Sequence, residues 1–214
     1  MRYENIRNSE GSNGLDRIRL RFGNEKLVEY IMNLHESNPK HAELLLNGSR
    51  VSFTCIYLLK RNTDSSKILN NSSLRNKKAV QLVDRVAQRS SSDSAHLYQS
   101  DFYEENRDNR NLYKWILETG YRDDGLDEIF DEILDIAAII LLGEYKEKRY
   151  LKIVADLIFS RHERGAYFYD LVWAYFRCRR LECISLIAQG LRSPVRRDVE
   201  LARKLLSFVP CVGN

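Results

Sequence analysis

The segment from Asp124 to Leu142 constrains the fold more than any other part of the chain. At about 100° per residue, Asp127, Glu128, Asp131, Glu132 and Asp135 fall in one arc, and Ile129, Phe130, Ile133, Leu134, Ile136 and Ala137 fill the opposite one. After Asp135 the polar arc itself turns apolar, through Ala138, Ile139 and Leu142. A helix that begins amphipathic and ends apolar all round has its second half enclosed by neighbours. The five carboxylates gather near its start, where the helix dipole favours them. They read as a solvated acidic surface open to a partner. Gly143 is the expected stop.

The other elements must supply those neighbours. Only three prolines and ten glycines in 214 residues leave room for long helices. After Gly143 the periodicity predicts helices over about 150–160, 166–179, 181–191 and 194–208, the last with Ser193 as its cap and Pro194 as its first residue. A shift of 30 residues aligns Leu151 with Leu181, Val154 with Ile184 and Leu157 with Ile187. The same shift aligns Leu171 with Leu201, Val172 with Ala202, Tyr175 with Leu205 and Phe176 with Leu206. Two successive helical hairpins in one apolar register are the signature of stacked repeats.

The stretch Ser193-Pro194-Val195-Arg196-Arg197-Asp198-Val199-Glu200-Leu201-Ala202-Arg203-Lys204-Leu205-Leu206 resembles the second helix of a HEAT-type repeat. The resemblance spans residues 150–208 at the level of fold. It implies a curved helical scaffold for protein or nucleic-acid binding, and it brings no catalytic residues with it.

The first third is more ambiguous. Residues 1–14 are polar and read as a flexible lead-in, with no apolar core that would make a secretion signal. Arg17-Ile18-Arg19-Leu20-Arg21-Phe22 alternates basic and apolar, the period of a half-buried strand. Leu27, Ile31 and Leu34 have helical spacing, limited by Pro39. Ala42–Leu46 and Val51–Leu59 are short apolar runs, the second readable as strand or helix. Ala79, Leu82, Val83 and Val86 make one face of a helix, with Lys77, Lys78, Gln81, Asp84 and Arg85 opposite. The fold class that follows is predominantly all-α, with α-solenoid-like stacked hairpins in the C-terminal half and a small α+β element in the first 60 residues as an open variant. The implied organisation is a flexible 1–14, an N-terminal subdomain over 15–89, a polar linker over 90–110 and a hairpin-repeat domain over 111–214.

Chemistry-bearing motifs are absent. Cys55, Cys178, Cys183 and Cys211 lack the paired spacing of a zinc site and read as buried thiols. His35 and His41 stand six apart with Pro39 between them, which rules out the zinc-protease spacing. No serine elbow, phosphate loop or dinucleotide fingerprint occurs. No catalytic residue, metal or cofactor is therefore expected. The longest strongly apolar run, Ile136–Leu142, is too short to span a bilayer, so a membrane is not expected as a partner.

What remains is surface. Charge comes in blocks: +6 over residues 1–100, −8 over 101–148 and +6 over 149–214. The last block carries Arg161, Arg164, Arg177, Arg179, Arg180, Arg192, Arg196, Arg197, Arg203 and Lys204 beside a dense aromatic group, Tyr167, Phe168, Tyr169, Trp173, Tyr175 and Phe176. Arginines next to aromatics suit protein hot spots or nucleic-acid phosphates and bases. The aromatic helix reads as an enclosed inner one, so that truncating Trp173 would cost about 3–5 kcal/mol. The function expected is a non-enzymatic, cytoplasmic scaffold or adaptor that binds protein partners or itself within a larger assembly. The alternative is a DNA- or RNA-binding helical repeat.

Overall fold

The computed structural model of the protein describes residues 12–88, 108–160, 165, 167–178 and 180–207, with the side chains of residues 12, 13, 160 and 180–183 outside that description. Among the described residues every regular element is helical. The predominantly all-α class holds, and no strand is present there. Two compact units emerge, one from residues 1–88 with 118–123, the other from 89–117 with 124–214.

The first unit contains α1 (Ser12–Phe22), α2 (Asn24–Ser37), α3 (Pro39–Asn47), α4 (Phe53–Arg61), a 3₁₀ segment (Ser66–Asn71) and α5 (Leu74–Gln88). The strand expected over Arg17–Phe22 is instead part of α1. Its core pair is Leu15 and Ile18, three apart and both buried, while Leu20 is 75% exposed. The alternating pattern thus included two apolar residues that face water, Leu20 and Phe22. A helix satisfies its backbone hydrogen bonds internally, whereas a lone strand has no partner. The run read as strand or helix over Val51–Tyr57 is helical from Phe53 onward. The Ser52 hydroxyl accepts from the Cys55 N–H at 3.2 Å and caps α4, whose residues Phe53 to Tyr57 are all buried. Pro39 opens α3 rather than merely ending α2, with Asn38 accepting from the His41 N–H at 3.2 Å. Buried Asn76 ties α5 to the end of α3 by donating to the Leu46 carbonyl at 2.9 Å.

The second unit is built from α6 (Arg110–Gly120, its last three residues grouped with the first unit), α7 (Glu128–Gly143), α8 (Leu151–Ser160), α9 (Phe168–Cys178), α10 (Arg180–Leu191) and α11 (Arg196–Leu206). Asp127 caps α7, accepting from the Phe130 N–H at 2.8 Å, and Gly143 is its last residue. Ile133, Leu134, Ala137, Ala138, Leu141 and Leu142 have no exposed surface. Helix α9 packs chiefly on α7 and also touches α8 and α10, while α10 packs chiefly on α11. Helix α11 begins at Arg196, two residues after the expected start. Ser193 acts one step earlier, accepting from the Val195 N–H at 3.1 Å and donating to Asp198 at 2.6 Å, which fixes a turn ahead of the helix.

Along the 30-residue offset, burial matches at Leu171 and Leu201, Val172 and Ala202, and Tyr175 and Leu205. It differs where Val154 is buried and Ile184 is 54% exposed, and where Phe176 is buried and Leu206 is 48% exposed.

Gly190 marks the closest approach in this unit. A Cβ there would lie 2.8 Å from the Phe159 ring and 2.9 Å from the Ala202 Cβ. The absent side chain lets α10 seat against α8 and α11. Gly190→Ala is expected to destabilise by about 1–3 kcal/mol through overpacking, although alanine is the better helix former by about 1 kcal/mol. Thermal unfolding checks this, and a stabilised variant would show that the helices can part at no cost.

Candidate functional site

Helix α9 sorts its eleven residues sharply. Phe168, Leu171, Val172, Ala174, Tyr175 and Phe176 are buried. Tyr169 and Trp173 are each 42% exposed, and Arg177 is exposed. These three stand at i, i+4 and i+8, so they form one stripe along the helix. The Arg177 guanidinium lies over the Trp173 ring, 5.5 Å from its centroid. The Lys204 ammonium, from α11, donates to the Tyr169 hydroxyl at 3.3 Å. Two half-exposed aromatic faces are therefore flanked by two cations on a helix anchored from behind.

This corrects the expectation of a fully enclosed aromatic helix. Tyr and Trp are amphipathic and sit readily at a boundary, so a helix crowded with them looks apolar all round in sequence when only part of it is covered. The 3–5 kcal/mol expected for Trp173 applies to a packed core and not to this position.

The basic residues divide. Arg192, Arg196, Arg203 and Lys204 are exposed with Arg177, and Arg197 is half-buried. Arg196 pairs with Glu200 at 2.8 Å, one turn along α11. Arg161, Arg164 and Arg179 lie outside the described residues, as does the side chain of Arg180.

The acidic surface expected on α7 is reduced to its first turn. Asp127 and Glu128 are exposed, and Asp131 is half-buried, accepting from the Gly125 N–H at 2.7 Å. Glu132 and Asp135 are buried, at 1% and 0% exposure, and so offer no surface to a partner. The apolar arc of α7 is wider than the sequence pattern drew it, because chain beyond the helix covers the edge of the polar arc. Gly165 is one such cover, where an added Cβ would stand 3.1 Å from the Glu132 Cγ.

Two polar clusters were not foreseen. In the first unit Asp123 accepts from Arg19 at 2.7 Å and from the Thr54 hydroxyl at 2.8 Å, while the Thr119 hydroxyl accepts from the Phe53 N–H at 2.8 Å. Asp16 accepts from the Ser52 hydroxyl at 3.0 Å and stands 3.6 Å from the Cys55 sulfur. Burial, then the nearby Asp16 charge, pushes the Cys55 thiol up to about 12. Such a thiol stays protonated near neutral pH and is a poor nucleophile, so this cluster is structural chemistry.

In the second unit Glu147 takes ion pairs from Arg110, from Lys114 at 2.9 Å and from Arg149 at 3.4 Å. Burial would raise its carboxyl, but the bonds from Lys114 and Arg110 outweigh that and hold it below the usual value. No local pattern announces either cluster, since Arg19 and Asp123 are 104 residues apart and Arg110 and Glu147 are 37 apart.

Among the described residues no group of three or more His, Cys, Asp or Glu side chains is placed to hold a metal ion, and no helix is long and apolar enough to cross a membrane. In comparisons with protein families, curated proteins and solved structures, nothing matches the chain.

Proposed function

We propose that this chain is a non-enzymatic interaction scaffold or adaptor, working in the cytoplasm as a component of a larger assembly. The observation that carries the proposal is the α9 stripe of Tyr169, Trp173 and Arg177 with Lys204 at its side. Trp, Tyr and Arg dominate protein–protein hot spots: Trp and Tyr bury much area with only two torsions to freeze, and Arg adds a planar cation that stacks and donates several hydrogen bonds. An anchored helix presents them ready-made, which lowers the ordering cost of binding. The stacked-hairpin reading of α8 to α11, with its HEAT-like resemblance, fits this role: such scaffolds bind through exposed helix faces.

The second reading, a DNA- or RNA-binding helical repeat, draws on the same surface through exposed Arg177, Arg192, Arg196, Arg203 and Lys204. Bases stack on aromatics while arginines hold phosphates. The −8 block beside the +6 block makes a poor footprint for a polyanion, so the protein-binding reading is preferred.

Size-exclusion chromatography with mass detection, followed by pull-down from the native host, identifies the partner or self-association. Trp173→Ala should then weaken that complex by about tenfold or more, with the thermal midpoint lowered by only about 2–4 °C. The triple reversal Arg192→Glu, Arg196→Glu, Arg197→Glu should also weaken it. Unchanged affinity in both variants overturns the scaffold reading. A salt-sensitive, submicromolar wild-type complex with generic duplex DNA, its log–log slope made shallower by the triple reversal, promotes the nucleic-acid reading.

A further inference from the structure

A concavity lies wholly within the first unit. It is a pocket of about 350 Å³ between the last turn of α4, the 3₁₀ segment Ser66–Asn71 and the outer face of α5. Lys60, Lys67 and Lys77 line it, together with Asn70, Gln81 and the buried Leu69. No carboxylate is among its lining residues. Asp84, which is not a lining residue, pairs with Lys60 at 2.8 Å. Lys67 and Lys77 are exposed, and the side chains of Lys67, Asn70, Lys77 and Gln81 make no hydrogen bond or ion pair among the described residues.

We propose that this pocket binds an organic phosphate carrying at least two negative charges. Three lysines line one concavity whose lining residues include no carboxylate, an arrangement whose mutual repulsion an anion relieves. Lysine binds phosphate as a point charge and does not need the planar match that arginine requires. Free carboxamide N–H groups add neutral donors for phosphate oxygens, and Leu69 offers contact for a carbon skeleton. The volume is at the small end of the range that takes organic ligands and is larger than one tetrahedral anion needs. Another concavity of this unit, about 470 Å³ beside Val28, Met32 and Leu58, is lined by Glu25, Glu29 and Asp64 with Arg61 and suits no such ligand. The phosphate groups belong either to a soluble ester or to a phosphoinositide headgroup, which share this chemistry.

The full chain is titrated with pyrophosphate, with inositol trisphosphate and with vesicles containing or lacking phosphatidylinositol bisphosphate. Pyrophosphate and inositol trisphosphate should raise the thermal midpoint, as any ligand of the folded state does. Lys67→Gln with Lys77→Gln should weaken binding by about tenfold or more, since each removes a charge-assisted contact. Asp84→Asn, which frees Lys60, should tighten binding, an outcome that damage to the fold could not produce. Lys40→Gln with Lys152→Gln, two exposed lysines elsewhere, should change nothing. Stronger binding to phosphoinositide vesicles than to the free headgroup assigns the lipid source, and the reverse assigns a soluble ester. No midpoint shift with either soluble probe, an equal loss in the two control lysines, or weaker binding by Asp84→Asn overturns the proposal.

Discussion

Phe168→Ala is expected to cost about 3–5 kcal/mol, a large part of the stability of an ordinary domain. Phe168 has no exposed surface, and its ring meets that of Tyr169 edge-on, centroids 5.7 Å apart at 80°. Truncation removes the buried area and leaves a cavity that helices packed from several sides cannot close. Five residues along the same helix, Trp173→Ala should cost only about 1 kcal/mol, because much of that ring is already in water. The pair therefore reads the rotation of α9 about its own axis. Denaturant unfolding with unchanged slope measures both. If Trp173→Ala proves the costlier change, α9 is turned the other way and the binding stripe described above is core.

Asp123→Ala is the second change expected to be severe, at about 3 kcal/mol. Its two oxygens serve different partners, Arg19 at 2.7 Å and the Thr54 hydroxyl at 2.8 Å. Both ion-pair side chains are largely covered, 11% exposed at Arg19 and 13% at Asp123. Alanine leaves the guanidinium nearly buried, with Asp16, at 3.8 Å, its one remaining counter-charge among the described residues. Most of the cost is that uncompensated cation and not the lost pair itself. The test is a cycle with Arg19→Leu. The double variant Arg19→Leu with Asp123→Ala should be clearly less damaged than the sum of the singles, because it removes the stranded charge. Strictly additive losses would show that the two residues act independently.

The all-helical class was legible because the strongest signals, at Leu27 to Leu34, Ala79 to Val86 and Ile129 to Leu142, repeat at helical spacing. The Arg17–Phe22 alternation misled because six residues with apolar side chains at 18, 20 and 22 satisfy a strand fully. The true partner of Ile18 is Leu15, in a stretch too polar to look like the start of an element. The binding stripe was half legible. Its residues were singled out as an aromatic helix with arginines beside it, but which of them face water depends on what α7, α8 and α10 cover. The lysine pocket was illegible for a related reason. Lys60, Lys67 and Lys77 come from three separate segments, and each alone looks like an ordinary solvated lysine. Glu132 and Asp135 show the limit from the other side, since periodicity assigns an arc but not the chain that later lies across it.

The first unit is discontinuous in the chain, and that has a consequence in time. Five helices are complete at Gln88, yet the residues that finish the unit, Glu118 to Asp123, are synthesised about 35 positions later. At ordinary rates of synthesis that is a wait of about 2–7 s. During it the Phe53 N–H, the Thr54 hydroxyl and the Arg19 guanidinium lack the acceptors they hold in the finished fold. The nascent unit must therefore stay open to a late arrival. The last six residues act as a latch that closes only after the first part of the second unit, residues 89–117, has been made.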